Sequence, residues 1–293
     1  MTARNEAQES AANATRPGSA ASLAGCTIIM SGGSRGIGLA IALRAARDGA
    51  NVAIMAKTGE PHPKLEGTVH TAAERIEAAG GKALAVVGDV RNDDDVRAAV
   101  DATVNRFGGI DIVVNNASAI DLSVTADVDM KKYDLMADIN VRGTFMLSKF
   151  ALDALKQSPN PHILTLSPPL NLDPVWAGRH LAYTMAKYGM SLTTLGLAEE
   201  LKGDGVAVNS LWPATLIDTA AIRNMPGGTR MVQAARSAEI VADAAHAVLV
   251  RAARSCTGNF YTDEQVLREE GVTDLTGYSL GAREDELVPD IFL

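Results

Sequence analysis

Short apolar segments alternate with amphipathic helical segments along most of the chain, and this alternation predicts an α/β fold. The composition agrees, because apolar residues make up 47% of the chain and aromatic residues only 4%. A core built from Ala, Val, Ile and Leu suits helices packed on a buried parallel sheet. We therefore expect a single domain with a doubly wound, seven-stranded parallel sheet and helices on both faces.

The two ends of the chain differ in composition from its middle. Residues 1–21 contain no large apolar side chain after Met1, so we predict a disordered N-terminal tail. The alternating pattern occupies residues 22–263. Residues 264–293 follow the last predicted strand and are expected to form a C-terminal extension.

Charge and cysteine content narrow the choice of partners. The net charge of −8, without a block of Lys or Arg, argues against nucleic acid and favours a small-molecule ligand. No apolar run reaches the roughly 18 residues of a membrane span. Cys26 and Cys256 lie far apart and outside any C-x-x-C pattern, which favours buried thiols in a reducing, cytoplasmic setting. His62 and His70 have no cysteine or acidic cluster at ligand spacing, so we predict no metal site.

A glycine-rich turn follows the first predicted strand. The run C-T-I-I-M leads directly into S-G-G-S-R-G-I-G and then into an amphipathic helix that ends at Gly49. Gly32 suits a tight turn, Gly36 the approach of a phosphate, and Gly38 close helix packing. Such turns also simply connect elements, but the strand before and the helix after this one favour a Rossmann-type dinucleotide site at the helix N-terminus.

The second strand bears on the choice of dinucleotide. It ends in Ala56 and Lys57 where an acidic residue normally binds the ribose of NAD, and Arg35 lies in the glycine turn. Two cations favour a 2′-phosphate and hence NADP over NAD; the alternative is that Lys57 is a solvated charge at a strand end. Asp89 follows the third strand, where it either accepts the adenine amino group or caps the next helix.

Three side chains of the C-terminal half suggest acid–base chemistry. Tyr183 and Lys187 stand four residues apart in a helix-forming segment and therefore share one helix face. A neighbouring ammonium would lower the pKa of the phenol and make it a usable general acid/base, although this spacing is also common on helix surfaces. Ser167 ends the apolar run H-I-L-T-L-S, at the strand end where α/β sheets bind ligands.

Asn140 stands in the middle of a long predicted helix over residues 133–154. Asparagine is a mediocre helix former and Gly143 follows closely, which indicates a kink or a bound water. The alternative is an ordinary buried asparagine.

Taken in order, these motifs resemble those of the short-chain dehydrogenase/reductase family over about residues 22–263. The motifs are S-G-G-S-R-G-I-G, N-N-A-S, Asn140, Ser167, and Tyr183 with Lys187. The resemblance implies hydride transfer between a nicotinamide cofactor and a carbonyl or alcohol. It also implies assembly into a homodimer or homotetramer.

The resemblance implies a role for each catalytic residue. Ser167 would bind the substrate oxygen, and Tyr183 would donate or accept its proton. Lys187 would lower the pKa of Tyr183 and hold the nicotinamide ribose, and Asn140 would position a water in a proton relay. The predicted cofactor-binding set is Ser31, Gly32, Ser34, Arg35, Gly36, Ile37, Gly38, Lys57, Asp89, Val90, Asn116, Ala117, Tyr183, Lys187, Pro213 and Ile217.

Three departures from the family pattern concern the site. Tyr183 stands 16 positions after Ser167, a longer interval than is usual, which should reshape the substrate pocket. Ser118 replaces a glycine after N-N-A, and Pro213 is followed by Ala214 where Pro-Gly is common.

The leading interpretation is an NADP(H)-dependent oxidoreductase acting on a hydrophobic carbonyl or alcohol, such as a fatty acyl derivative or a steroid-like compound. A reductase of acyl-thioester intermediates is the nearest alternative, and a basic patch at the pocket mouth would favour it. A protein that binds NADP as a sensor or scaffold without turnover is the alternative from another class. The intact Asn, Ser, Tyr and Lys set argues against this last one.

Overall fold

The computed structural model describes residues 22–61, 66–224 and 227–293. Its centre is a seven-stranded sheet in the order β3-β2-β1-β4-β5-β6-β7, and every pairing is parallel. The strands are β1 Thr27–Ser31, β2 Asn51–Ala56, β3 Lys82–Val87, β4 Ile112–Asn115, β5 His162–Thr165, β6 Ala207–Trp212 and β7 Phe260–Thr262. The predicted sheet is confirmed. The predicted disordered tail, residues 1–21, and His62 lie outside the described residues.

Helices connect successive strands and cover both faces of the sheet. They are α1 Gly36–Arg47, α2 Val69–Ala78, α3 Asp93–Phe107, α4 Met130–Met136, α5 Gly143–Leu155, α6 Pro174–Arg179, α7 Leu181–Glu200, α8 Ala220–Arg223, α9 Gly228–Gln233, α10 Glu239–Leu249 and α11 Asp263–Glu269. A π-helical segment, Ala137–Arg142, joins α4 to α5.

The core forms two layers, one on each face of the sheet. Alternate residues of β1 point to opposite faces, so Ile28 and Met30 join one cluster while Ile29 joins the other. Helices α1, α2 and α10 pack on the first face, and α3, α5 and α7 on the second. This is the doubly wound arrangement that the alternation predicts.

The order of the strands reverses between β1 and β4. The chain winds outward from β1 through β2 to β3, and then returns to place β4 on the other side of β1. At such a reversal the connections leave a crevice at the carboxyl ends of the strands, where α/β proteins bind ligands.

The predicted helix over 133–154 is divided into α4, the π-helical segment and α5. Asn140 lies inside the π-helical segment, so the unfavourable Asn and Gly pair does mark a local departure from α-helical geometry. Residues 264–293 pack against the first face through the buried Leu267 and Leu275, and the buried Phe292 joins a separate cluster around Tyr183. The boundary proposed at residue 263 stays a prediction. Over the described ranges, none of the helices has the length and apolar character needed to cross a membrane.

Candidate active site

A cavity of about 400 Å³ opens at the reversal point of the sheet. Ten of the predicted cofactor-binding residues line it: Gly32, Ser34, Arg35, Gly36, Ile37, Lys57, Asp89, Val90, Asn116 and Ala117. Ser31, Gly38, Tyr183, Lys187, Pro213 and Ile217 do not. Its wall also contains residues that the sequence analysis did not place in the cofactor set: Met55, Ala56, Thr58, Gly88, Ser118, Ile139, Thr219 and Ala220.

Gly32 and Gly38 allow the glycine turn to approach the loop after β4 closely. Gly32 has a φ of 73°, and a Cβ there would stand 2.8 Å from the Cα of Ala117. A Cβ on Gly38 would stand 2.5 Å from Nδ2 of Asn116 and 2.9 Å from the carbonyl oxygen of Gly32. Both positions therefore let the turn pack directly against the loop that follows β4.

The N-terminus of α1 fits an anionic group. Arg35 is its N-cap residue and makes no side-chain cap, and the first turn of α1 contains no acidic residue. The unpaired N–H groups and the positive end of the helix dipole thus face the cavity beside Gly36. The pyrophosphate of a dinucleotide matches this arrangement.

Charged side chains cluster where β2 and β3 end. Nζ of Lys57 lies 3.4 Å from Oδ2 of Asp89, and Arg91 binds the same carboxylate, with Nη2 at 2.6 Å from Oδ2. The hydrogen bonds from Arg91 lower the pKa of Asp89 to about 2, despite the opposing effect of burial. A guanidinium nitrogen of Arg35 donates to the carbonyl oxygen of Gly67 at 2.7 Å, and burial lowers the pKa of Arg35.

This cluster bears on two alternatives that the sequence leaves open. Lys57 is not only a solvated charge, because its ammonium forms an ion pair with Asp89, whose carboxylate Arg91 also binds. Asp89 does not cap α3. Asn92 does so, its side-chain oxygen accepting from the backbone N–H of Asp94 at 2.9 Å. Asp89 stands too far before the helix to reach those N–H groups.

Side-chain amides connect the strand ends around the cavity. Asn115 donates to Oγ of Ser148 at 2.9 Å, and Asn116 donates to the carbonyl oxygen of Gly32 at 2.9 Å. Oγ of Ser31 accepts from the backbone N–H of Ala117 at 3.1 Å. Ser31 therefore braces the loop behind the cavity wall.

Asn140 fixes the same loop from the π-helical segment. Its Oδ1 accepts from the backbone N–H of Ala119 at 2.8 Å, and its Nδ2 donates to the carbonyl oxygen of Ala119 at 3.0 Å. The side chain is fully buried. Both of its polar atoms are thus engaged in holding the backbone beside Ser118.

Ser167 lies two residues beyond the end of β5, as the apolar run predicts. Its Oγ is 2.8 Å from Oγ of Ser210, which in turn donates to Oγ1 of Thr194 at 2.9 Å. No local pattern predicts this chain of buried hydroxyls, because its members come from β6 and α7 as well as from the loop after β5.

Tyr183 and Lys187 lie on α7, one turn apart, and both are buried. Nζ of Lys187 donates to the carbonyl oxygen of Leu166 at 2.6 Å and lies 4.9 Å from the ring centroid of Trp212. Within the part of the chain that the structure describes, no hydrogen bond engages the phenol of Tyr183. The phenol oxygen therefore makes no hydrogen bond to another of the described residues.

The expected lowering of the tyrosine pKa is wrong for this structure. Burial, with a smaller effect from Asp290, raises the pKa of Tyr183 above its usual value. Burial also lowers the pKa of Lys187 to about 7, so the ammonium is a weak source of positive charge. Desolvation is the larger cause of both shifts because both groups are enclosed.

The long connection between Ser167 and Tyr183 contains α6 and places Trp176 and His180 beside the tyrosine ring. The loop after β6 is equally constrained. The backbone N–H of Ala214 donates to Oδ1 of Asp263 at 2.8 Å, and its carbonyl oxygen accepts from the N–H of Asp290 at 3.1 Å. The long connection and the Pro213-Ala214 pair, two of the three departures from the family pattern, therefore both make specific contacts near the site.

Thr219 is the clearest residue that the sequence analysis missed. It lines the cavity and caps α8, its Oγ1 accepting from the N–H of Ile222. A threonine immediately before a short helical run is a cap signal, but nothing local shows that the cap faces the glycine turn. Across the described ranges, no group of three or more His, Cys, Asp or Glu side chains is placed to hold a metal ion.

The chain belongs to the short-chain dehydrogenase family, whose model matches residues 26–226. Members of this family of oxidoreductases use a nicotinamide cofactor. Among its relatives, hydroxysteroid dehydrogenase-like protein 2 from Xenopus laevis is 55% identical over 92% of this chain. The human protein of the same name is 54% identical over the same share. The chain spans 64% of the length of these two relatives.

Solved structures support the same family. A protein from Xanthomonas campestris is 55% identical, with a TM-score of 0.88 over 93% of this chain and 99% of that one. A short chain dehydrogenase from Mycobacterium thermoresistibile is 54% identical, also with a TM-score of 0.88, over 93% of this chain and 96% of that one. The family expected from the motifs is confirmed.

Proposed function

We propose that the protein is an NADP(H)-dependent oxidoreductase that interconverts a hydrophobic carbonyl compound and its alcohol. The observation that carries the proposal is the placement of two groups at one edge of the sheet. The glycine turn and the cavity stand at the ends of β1 to β4, and Ser167 with Tyr183 and Lys187 stands beside the end of β5.

The residues present fit a dinucleotide. Gly32, Ser34 and Gly36 would hold the pyrophosphate at the N-terminus of α1, and Asn116 with Ala117 would flank the sugar on the β4 side. The nicotinamide group supplies the hydride when the cofactor is bound.

The preference for NADP rests on the local balance of charge. Three positive charges lie at the corner where β2 and β3 end, on Arg35, Lys57 and Arg91. The carboxylate of Asp89 forms ion pairs with Lys57 and Arg91. The remaining positive charge suits a phosphate on the ribose. Strand β2 itself ends without the carboxylate that an unphosphorylated ribose would require.

The catalytic residues would act on the oxygen of the substrate. Tyr183 carries its proton at neutral pH, and in the direction of reduction it would donate that proton to the substrate oxygen. Ser167 would hold that oxygen through its hydroxyl. Lys187 would place its Nζ, fixed by the carbonyl oxygen of Leu166, beside the cofactor sugar. Asn140 would act as a positioning residue through its two bonds to Ala119.

The hydrophobic character of the substrate has two supports. Trp176, Trp212 and Tyr188 surround the position of Tyr183 with apolar ring surface. The relatives named above carry "hydroxysteroid dehydrogenase-like" in their names, which agrees with an alcohol or ketone on an apolar skeleton.

We also propose that the chain forms a homodimer or homotetramer and resides in the cytoplasm. Helices α5 and α7 expose large apolar side chains, among them Phe145, Met185, Leu192 and Leu195, and a second copy would cover them. Cys26 and Cys256 are both free, as suits a reducing compartment.

A fluorescence titration with NADPH and with NADH tests the cofactor assignment. We expect NADPH to bind at least about tenfold more tightly, a difference of about 1.4 kcal/mol. Lys57→Ala should abolish most of this preference while leaving NADH affinity nearly unchanged, because only the 2′-phosphate contact is lost. Equal affinity of the parent protein for the two cofactors would refute the assignment.

A further inference from the structure

Phe292 fills an aromatic cage around Tyr183. The cage consists of Trp176, His180, Tyr183, Tyr188 and Trp212, whose ring centroids lie 5.2 to 6.1 Å from that of Phe292. Phe292 is completely buried. It stacks on Tyr183 with an interplanar angle of 25°.

The cage concentrates the few aromatic residues of the chain. Both of its two tryptophans and two of its five tyrosines are cage members. Rings arranged in stacked and edge-on contacts enclose a space that matches another flat, apolar ring. Trp176 and His180 come from the long connection between Ser167 and Tyr183, so this departure from the family pattern builds part of the cage.

The backbone that delivers Phe292 is strained. Its φ is 80°, in the left-handed region that a bulky side chain rarely adopts, and among the non-glycine residues that the structure describes it is alone in having a positive φ. Such a conformation persists only where its surroundings impose it. The burial of the ring in the cage is what opposes this strain.

Hydrogen bonds hold the segment that carries Phe292 more firmly at its start than at its end. Residues 288–292, here called the cover segment, lie along the loop after β6. Leu216 donates its N–H to the carbonyl oxygen of Val288 at 2.9 Å, and Nε1 of Trp212 donates to that of Ile291 at 2.9 Å. Beyond Ile291, the one hydrogen bond to a described partner is from Nδ2 of Asn171 to the carbonyl oxygen of Phe292, at 3.4 Å. Phe292 is thus held chiefly by its ring.

The two halves of the candidate site differ in access. The half beside the glycine turn is an open cavity of about 400 Å³, whereas Tyr183, Lys187 and Ser167 are buried and do not line it. A substrate that is to meet the phenol of Tyr183 therefore needs the space beside the tyrosine ring, where Phe292 now lies.

Resting on the function proposed above, we propose that the cage is the substrate pocket, that it takes the apolar ring system of a cyclic ketone or alcohol, and that Phe292 is an intramolecular occupant which the substrate displaces. The cover segment turns about the bonds after Asp290. This motion releases the hydrogen bonds from Trp212 to Ile291 and from Asn171 to Phe292, whereas the attachments at Val288 and Asp290 remain in place. The alternative is that Phe292 is a permanent wall of the site.

The binding of 2-decalone, a fused bicyclic ketone, distinguishes these cases. Both tryptophans belong to the cage, so intrinsic tryptophan fluorescence reports on changes in the cage. The ketone is titrated into the full chain without cofactor. The variants are Phe292→Gly, which removes the ring and accepts the positive φ, Phe292→Tyr, which keeps a ring, and Leu293→Ala, an exposed neighbour as control.

We expect Phe292→Gly to bind 2-decalone at least tenfold more tightly than the parent chain, with Phe292→Tyr and Leu293→Ala within twofold of it. Binding by Phe292→Gly that is no tighter would overturn the proposal, as would an equal gain in Leu293→Ala. So would failure of Phe292→Gly to fold, because a displaceable occupant cannot be essential to the fold. The assay involves no hydride transfer, so a chain that gains affinity here yet shows no turnover would keep the pocket and refute the proposed function instead.

Discussion

At the scale of single residues, Gly38 shows how closely the cofactor turn is packed. A methyl group there would stand 2.5 Å from Nδ2 of Asn116. We predict that Gly38→Ala displaces the loop after β4 and weakens cofactor binding by at least about tenfold, since overpacking costs about 1–3 kcal/mol. Calorimetric titration with NADPH measures the change.

Gly178→Ala is the matched control, because Gly178 is also helical, in α6, and an added Cβ there has no atom within 4 Å. It should bind cofactor like the parent chain and be more stable by about 0.5–1 kcal/mol. Parent-like cofactor affinity in Gly38→Ala would contradict the packing argument.

The spacing of Tyr183 and Lys187 predicts their shared helix face but not the pKa of the tyrosine. The four-residue spacing places both on one face of a helix, and α7 confirms this. The direction of the tyrosine pKa was beyond the sequence, because it depends on Phe292 and Asp290, more than 100 positions further along the chain. Burial by these distant residues reverses the sign expected from the local charge.

At the scale of elements, the strands and their parallel pairing follow from local patterns. Each strand is a short apolar run between helical segments, and this alternation predicts a parallel sheet with right-handed crossovers. The π-helical segment could be anticipated only as an irregularity at Asn140. Its geometry depends on the two hydrogen bonds to Ala119, a contact that no local pattern encodes.

Strand β5 begins with a buried histidine that makes stability depend on pH. Burial lowers the pKa of His162 from its ordinary value of 6.5 to about 4. Between these pH values the unfolded chain binds a proton that the folded chain does not, so stability is full above pH 6.5 and falls as the pH falls towards 4. The loss attributable to His162 is about 3 kcal/mol.

Urea unfolding at a series of pH values measures this dependence. In His162→Gln, which cannot take up the proton, the free energy of unfolding should fall less steeply between pH 7 and pH 4 than in the parent chain. Equal slopes for the two proteins would show that His162 is not held neutral by burial.

At the scale of the whole molecule, the apolar face on α5 and α7 predicts self-association. Leu192 is 56% exposed in the middle of this face. Leu192→Glu should shift the protein from a dimer or tetramer to a monomer in sedimentation experiments, because a charge cannot be buried there without a partner. Leu280→Glu, an exposed leucine elsewhere, should leave the assembly unchanged. A parent chain that sediments as a monomer would contradict the proposal.

Part of the site could be predicted from the sequence. The glycine turn, Ser167 and the Tyr183 and Lys187 pair could be found from motifs, because each lies at a strand end or on one helix turn. The aromatic cage could not, because its members come from α6, α7, β6 and the residue before α7, and the ring that fills it belongs to Phe292. Only the folded chain brings such distant segments together.

The measurement that tests the central claim most directly is NADPH-dependent reduction of a panel of apolar ketones by the parent chain and by Tyr183→Phe. We predict turnover by the parent chain and a loss of at least about 100-fold in Tyr183→Phe, with NADPH affinity unchanged, because only the proton donor is removed. Phenylalanine keeps the ring that stacks on Phe292, so the cage should remain intact. Turnover by Tyr183→Phe equal to that of the parent chain, or no turnover by either, would contradict the account.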